Sequence, residues 1–147
     1  MGATPFRPPE NRSAAVRWAL RCLRYGWAAP CTALGICLAA PVFLFGARMR
    51  SVDGVAEIAL SARRDAGWLR KLPFVAITFG HVVIGATRAD LERLRLHEHE
   101  HVRQYEQWGP VFLAAYPLES LWQMLRGRRA YLDNRFEVLA RAKEVHL

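Results

Sequence analysis

Residues 94–109 read LRLHEHEHVRQYEQWG and hold three of the chain's five histidines within five positions. At about 100° of rotation per residue in a helix, the apolar side chains here and in the turn before share one arc. They are Leu91, Leu94, Val102, Tyr105 and Trp108. Such an arc is the core-facing side of an amphipathic helix. The stretch therefore predicts a helix packed on a core, and the role of each histidine depends on the side it faces.

Two of the histidines and one carboxylate face the predicted core. His97, Glu98 and His101 fall inside the apolar arc, whereas His99 and Glu100 fall outside it among charged residues. Burying two imidazoles and a carboxylate without partners is costly. A metal ion removes much of this cost, because it binds neutral imidazole nitrogen and places positive charge beside the carboxylate. The alternative is a core helix whose histidines bond to backbone carbonyl groups.

The inward residues form the motif His-Glu-x-x-His. Histidines four residues apart on one helical face can both bind a single Zn²⁺ ion. The glutamate between them lies beside the metal and can accept a proton from a bound water molecule. The motif therefore predicts zinc as a cofactor, with His97 and His101 as ligands and Glu98 as a catalytic base.

A catalytic zinc site also needs a third protein ligand and a free position for water. Glu106 lies on the wrong face of the same helix, so the third ligand is expected downstream. The candidates are Glu119, Asp133, Glu137, Glu144 and His146. Glu137 is the best of them, because its apolar neighbours in NRFEVLARA give it a buried setting. However, Asn134 and Glu137 also fit a capping box, in which Glu137 bonds the start of its own helix. The residues alone leave both interpretations open.

An apolar stretch precedes this region. Residues 26–47, GWAAPCTALGICLAAPVFLFGA, contain no charge. As a helix they span about 33 Å, enough for the hydrocarbon core of a bilayer. A cleaved signal peptide is the alternative, but its apolar region normally runs for only about 7–15 residues. We therefore expect a basic segment over 1–25, a transmembrane anchor over 26–47 and a folded domain over 48–147.

The net charge of +8 is unevenly distributed. Residues 1–25 carry five Arg and one Glu, 48–72 carry six basic and three acidic residues, and 73–147 carry ten and nine. Basic flanks around an apolar span favour a membrane with anionic lipid, a cytoplasmic N-terminus and a domain outside the cytoplasm. The expected partners thus include membrane lipid. A nucleic-acid partner is not expected, because there is no basic stripe with interleaved aromatic residues.

Beyond the anchor, the pattern predicts an α+β domain. Thr87 is a candidate N-cap and Gly109-Pro110 a stop signal for the histidine-bearing helix. Pro117 is expected to interrupt the apolar helix that follows. The pattern predicts strands over 52–60 and 74–85, an irregular basic segment over 61–72, and helices over 88–108, 110–125 and from about 133 to the end.

Three stretches, HEHEHVRQYEQWGP, YLDNRFEVLARA and ITFGHVVIG, together resemble the zincin superfamily. Within it they are similar to small membrane-anchored gluzincins of bacteria, and the resemblance covers roughly residues 73–141. It implies a minimal zincin-like domain, in which a short edge-strand sheet packs on the HExxH helix and a C-terminal helix. It also implies His97, His101 and Glu137 as zinc ligands and Glu98 as general base.

The resemblance predicts a zinc metallopeptidase, a hydrolase held in the bacterial inner membrane by a single span. The strand over 74–85 would form a sheet edge above the metal and accept an extended peptide or protein substrate as an added strand. Tyr131, Tyr116 and His81 are candidates for oxyanion or substrate binding, although a surface position is favoured for His81. The alternative is a zincin-like membrane interaction or metal-binding module without catalysis, or a membrane-surface protein that holds no metal.

Overall fold

The computed structural model describes residues 10–61 and 74–144, and over these residues it confirms the α+β class. Most of the segment predicted to be irregular, 62–72, lies outside the described residues. In the described residues one helix precedes a single small sheet of four strands, and the other helices follow it. In chain order they are α1 (Glu10–Phe43), β1 (Arg48–Val52), β2 (Val55–Ser61), β3 (Ala76–Phe79), β4 (Val82–Thr87), α2 (Arg88–Trp108), a 3₁₀ turn (Gly109–Val111), α3 (Phe112–Leu125) and α4 (Arg135–Glu144).

The sheet has the strand order β1-β2-β4-β3. β1 and β2 form an antiparallel hairpin, β2 and β4 are parallel, and β3 pairs with β4 in antiparallel fashion. Alternate residues of a strand point to opposite faces. Val82 and Ile84 therefore pack with Ala39 of α1, whereas Val83 packs with Leu91 and Val102 of α2. The sheet lies between α1 and α2, and a cluster of buried apolar side chains covers each of its faces.

Two strand predictions need correction. Residues 74–85 form two strands separated by a turn at Gly80 and His81. Gly80 has a φ of 58°, and a Cβ atom there would lie 2.5 Å from the backbone nitrogen of Thr32, so the turn requires glycine. The strand predicted over 52–60 is also interrupted by a turn: Val52 ends β1, and the residues from Val55 form β2 of the same hairpin. Asp53 and Gly54, both with positive φ, form its two-residue turn, as is usual for Asp-Gly.

The apolar segment forms a longer helix than predicted. α1 has 34 residues and ends at Phe43, four residues before the predicted end of the anchor, with Pro30 and Pro41 inside it. By length and composition, its residues Ala14–Phe43 could cross a membrane. One side of the helix nevertheless belongs to the core of the domain, because Ala28, Cys31 and Ala39 are fully or almost fully buried.

The histidine-bearing helix has the predicted bounds. α2 runs from Arg88 to Trp108, and the Thr87 side chain accepts a hydrogen bond from the backbone N–H of Asp90 at 3.2 Å. It ends at Gly109, whose N–H donates to the carbonyl of Tyr105. The interruption predicted at Pro117 is wrong, because α3 continues through this residue from Phe112 to Leu125.

Candidate metal centre

Helices α2 and α4 carry the candidate metal-binding side chains. An aromatic cluster fixes the distance between these helices: the ring centroids of Phe112 and Phe136 are 4.9 Å apart, and those of Tyr105 and Phe112 are 4.5 Å apart. The Gln104 side-chain amide also donates to the carbonyl oxygen of Phe136 at 3.0 Å. These contacts hold the first turn of α4 against the middle of α2.

His97, His101 and Glu137 converge on one point. The two Nε2 atoms are 3.1 Å apart, and each lies 3.3 Å from one oxygen of Glu137. All three residues are buried, and their nearest donor atoms lie within 4.8 Å of one another. Ligand atoms on a tetrahedral zinc ion are about 3.3 Å apart, because each is about 2.0–2.1 Å from the metal. This group could hold a metal ion.

The polar atoms of the centre are better satisfied with a cation between them than without one. Oε2 of Glu137 is buried and has no hydrogen-bond partner. Burial raises the pKa of Glu137, but the neighbouring His101, His97 and Tyr116 outweigh this and hold the pKa well below its ordinary value. Glu137 is therefore ionised, which is the protonation state that a metal ligand needs. Its unsatisfied Oε2 faces His97, and Arg141 lies 3.8 Å from the same oxygen.

Hydrogen bonds with neighbouring side chains orient two of the candidate ligands, His101 and Glu137. Nδ1 of His101 lies 2.9 Å from Oε1 of Gln104, which can only accept, so Nδ1 carries the hydrogen and Nε2 presents its lone pair to the centre. Nδ1 of His97 lies 2.9 Å from a carboxylate oxygen of Glu144. The Tyr116 hydroxyl donates to Oε1 of Glu137 at 2.6 Å. Gln104 was missed at the sequence level, although it lies three residues after His101 on the same arc.

The two interpretations of Glu137 separate in the structure. Asn134 caps α4 by itself, since its Oδ1 accepts from the backbone N–H of Phe136 at 2.9 Å. Its Nδ2 donates to the carbonyl oxygen of Tyr116 and to Oγ of Ser120. Glu137 makes no bond to the start of its helix and faces His97 and His101 instead.

The other candidates for the third ligand lie elsewhere or outside the described residues. Glu119 accepts a hydrogen bond from Gln123, and Asp133 is paired with Arg129. Glu144 contacts the outward nitrogen of His97. His146 falls in the undescribed residues 145–147.

Glu98 lies next to the three candidate ligands and beneath β3. It is buried, and its Oε2 accepts a hydrogen bond of 2.6 Å from the hydroxyl of Thr78. A cleft of about 420 Å³ opens beside these residues. Its polar wall includes Thr78, Glu98 and the ligand group, and its apolar wall includes Phe79, Phe112, Leu113 and Pro117.

The three other candidate site residues have different positions. Tyr116 and Tyr131 both line the cleft. Tyr116 is bonded to Glu137, whereas 54% of Tyr131 is exposed. Burial and the charge of Glu137 raise the pKa of both hydroxyl groups, so both remain protonated near neutral pH.

The surface position favoured for His81 is wrong, and His81 does not line the cleft either. It is buried under α1, where its ring stacks on Tyr25 with centroids 3.9 Å apart. Its Nε2 lies 3.2 Å from Oε1 of Glu106, and its backbone N–H donates to Oγ1 of Thr32. The close approach of the Gly80 turn to α1 places it there.

Comparisons of the chain with protein-family models, with curated proteins and with solved structures find no match. Function must therefore be argued from the site itself.

Proposed function

We propose that the chain is a membrane-attached, zinc-dependent metallopeptidase, and that His97, His101 and Glu137 hold the zinc ion. The observation that supports this most is a juxtaposition. A buried group of two imidazoles and a carboxylate lies at the end of a cleft, with a fourth ionisable side chain, Glu98, next to it. The resemblance of the motif-bearing segments to gluzincins supports the same function.

The donor set favours zinc among common metals. Imidazole nitrogen suits zinc, and two histidines with one carboxylate are the ligands of a catalytic zinc site with one open position. When bound, zinc supplies Lewis acidity, which lowers the pKa of water and polarises a carbonyl group.

Glu98 is the proposed general base. Its carboxylate accepts a proton from the attacking water and delivers it to the leaving amine, so the side chain ends each turnover ionised. The Thr78 hydroxyl fixes one carboxylate oxygen at 2.6 Å and thereby orients the other. Glu98 is therefore restrained from both sides, by the backbone of α2 and by the edge strand β3.

Tyr131 is the proposed donor to the oxyanion that forms on the substrate. It lines the cleft, is half exposed and is protonated at neutral pH, and burial raises its pKa further. Tyr116 is less suited to this role, since its hydroxyl already donates to Glu137.

The substrate is proposed to be an extended peptide that lies along β3. Among the described strands β3 is an edge, paired only with β4, and all four of its residues line the cleft. An open edge can bind a peptide backbone as an additional strand. The apolar wall formed by Phe79, Phe112 and Leu113 fits an apolar side chain of that peptide.

The experiment that tests this function uses the full chain purified in detergent. We expect cleavage of a fluorogenic peptide library, loss of the activity on chelation and its return with added Zn²⁺. Glu98→Gln should lower kcat about 10²–10⁴-fold, because it removes the base, and should leave the zinc content unchanged. A chain that holds zinc but cleaves nothing is instead a metal-binding module, for which Glu98→Gln changes no property.

A further inference from the structure

The two sides of α1 differ sharply. Its buried side carries Ala28, Cys31, Gly35 and Ala39, which recur every three or four residues and pack on the sheet and the start of α3. From residue 26 to residue 43 the rest of its surface contains no charged side chain. Exposed residues on this free surface include Trp27, Leu34, Ile36 and Leu38.

The arginines of α1 lie at its beginning and turn towards the domain. At about 100° per residue, Arg17, Arg21 and Arg24 fall on the same side as the buried stripe. They line a groove together with Glu106 of α2, and Arg24 lies 4.0 Å from its carboxylate. The polar groups of α1 are therefore on the domain side or near its start, and its outer surface is apolar.

Helix α3 shows the same division. Phe112 and Gln123 are buried on its inner side. Its outer side is formed by exposed apolar residues: Leu118, Leu121, Trp122, Met124 and Leu125. The helix is followed by exposed Arg126, Arg128 and Arg129, and the Arg126 guanidinium lies 5.1 Å from the centre of the Trp122 ring.

The two helices are neighbours. Ala28 and Cys31 of α1 share a core cluster with Phe112, against which Ala115 of α3 also packs. The Trp27 ring lies against Gly109, at the turn before α3, where a Cβ atom would come within 2.5 Å of it. α1 thus meets the chain at the 3₁₀ turn and the start of α3.

We propose that these two apolar faces, which we call the docking surface, bind an anionic lipid bilayer, and that α1 lies along the bilayer instead of crossing it. Exposed Arg126, Arg128 and Arg129 border the docking surface after α3, where they can contact anionic headgroups. Exposed Trp18, Trp27 and Trp122 are suited to the interface between lipid and water, because the indole ring is apolar with one polar group. This arrangement replaces the single span that the sequence predicts.

The packing of α1 argues against a span. α1 contacts the domain from Ala28 to Val42, which is about 21 Å of helix. If α1 crossed the bilayer, the parts of the domain packed on this length would enter the hydrocarbon. Among them are His81 with Glu106, and strand β2, whose Glu57 pairs with Arg50 and Arg95. Charged groups at that depth are costly, whereas an orientation along the surface leaves them in water.

The position of the cleft follows from this arrangement. Leu113, Tyr116 and Pro117 of α3 line the cleft, while Leu118, Trp122 and Leu125 of the same helix belong to the docking surface. If the proposed peptidase function holds, substrate is therefore bound one helix away from the lipid.

The two orientations of α1 are distinguished by thiol labelling, which needs no enzymatic activity. The full chain with Cys22→Ser, Cys31→Ala and Cys37→Ser is expressed in bacteria, with a single new cysteine as Ala14→Cys, Met49→Cys or Arg103→Cys. Spheroplasts are treated with a membrane-impermeant maleimide before and after lysis. The proposal predicts that all three positions are labelled, or all three protected, before lysis. The proposal would be overturned if Ala14→Cys were labelled before lysis while Met49→Cys and Arg103→Cys were protected, or the reverse.

Charge on the docking surface provides a second test. Leu118→Glu with Leu121→Glu should lower the membrane-bound fraction of the full chain several-fold, because both side chains then face lipid. Val138→Glu, a similarly exposed apolar residue on α4, is the matched control and should leave that fraction unchanged. Circular dichroism verifies that the variants are folded. An unchanged fraction in the α3 variant, or a detergent-free soluble dimer of the natural chain, would contradict the proposal.

Discussion

Within the described residues, two buried histidine sites that contact glutamate differ in geometry: the candidate metal centre and His81 with Glu106. At the candidate metal centre, the Nε2 atoms of His97 and His101 and the Glu137 carboxylate point at one another from 3.1–3.3 Å, and one carboxylate oxygen is unsatisfied. His81 instead contacts Glu106 and Thr32, and its ring is covered by Tyr25. Burial of histidine beside glutamate is thus common to both. Convergence of several lone pairs on one point distinguishes the site that can hold a metal.

The largest expected difference between the clusters is in zinc affinity. Glu137→Ala removes one of three ligands and should weaken zinc binding by more than the 10–100-fold typical of residues outside the ligand set. Glu106→Ala, the same substitution in the other cluster, should leave zinc affinity unchanged. A competition titration with a chromophoric chelator measures both. Equal losses in the two variants would show that Glu137 is not a ligand.

Gln104 should have the next largest effect, although it contacts no metal. Its Oε1 fixes the hydrogen on Nδ1 of His101, and its Nε2 bonds the carbonyl oxygen of Phe136. Gln104→Ala should therefore lower zinc affinity about 10–100-fold. The same titration measures it, and Gln104→Glu, which also accepts from Nδ1, should recover much of the affinity. An unchanged affinity in Gln104→Ala would mean that His101 needs no such orientation.

Tyr116 should matter less. Tyr116→Phe removes a hydrogen bond of 2.6 Å to Glu137 and keeps the ring that packs on Phe112. The expected loss of zinc affinity is about 10-fold, the lower end of the range for residues that orient a ligand. Tyr131→Phe is the control, because that hydroxyl is assigned to substrate: zinc affinity should be kept while kcat falls. If Tyr131→Phe instead lowered zinc affinity and Tyr116→Phe lowered only kcat, Tyr131 would orient the ligand and Tyr116 would contact the substrate.

The smallest expected effect lies at the second cluster and concerns stability alone. His81→Ala removes the contact of Nε2 with the Glu106 carboxylate and the stacking on Tyr25. The free energy of unfolding should fall by about 1 kcal/mol, the lower end of the cost of losing one partner of a buried pair. Denaturant unfolding in detergent measures this change. A loss of zinc in this variant would contradict the distinction between the clusters.

The sequence predicts the first cluster better than the second for a physical reason. His97, Glu98 and His101 lie on one helix, whose ends are set by the local signals Thr87 and Gly109-Pro110. The side of the helix on which each residue lies therefore follows from helix geometry. The position of His81 instead depends on a contact with Thr32, which is 49 residues away in the chain. No local pattern carries that contact. The turn that permits it, at Gly80, interrupts a run rich in β-branched and aromatic residues.

Glu137 and α1 are intermediate cases. The local pattern from Asn134 to Glu137 fits a helix cap and a metal ligand equally well, and only the packing of α4 on α2 separates them. For α1, composition predicts an affinity for lipid. The side of α1 that packs on the domain carries small residues, but their packing partners belong to the sheet and cannot be identified from the sequence of α1 alone. The hairpin at Asp53-Gly54, in contrast, was visible as a local turn signal and was missed.

The most direct test of the metal centre is a zinc count on three forms of the full chain, purified without added metal or chelator. Elemental analysis would compare the natural chain, His101→Ala and His81→Ala. A site of this kind should hold about one zinc per chain in the natural protein and in His81→Ala, and almost none in His101→Ala. A folded natural chain without zinc, or equal zinc in all three forms, would contradict the metal centre.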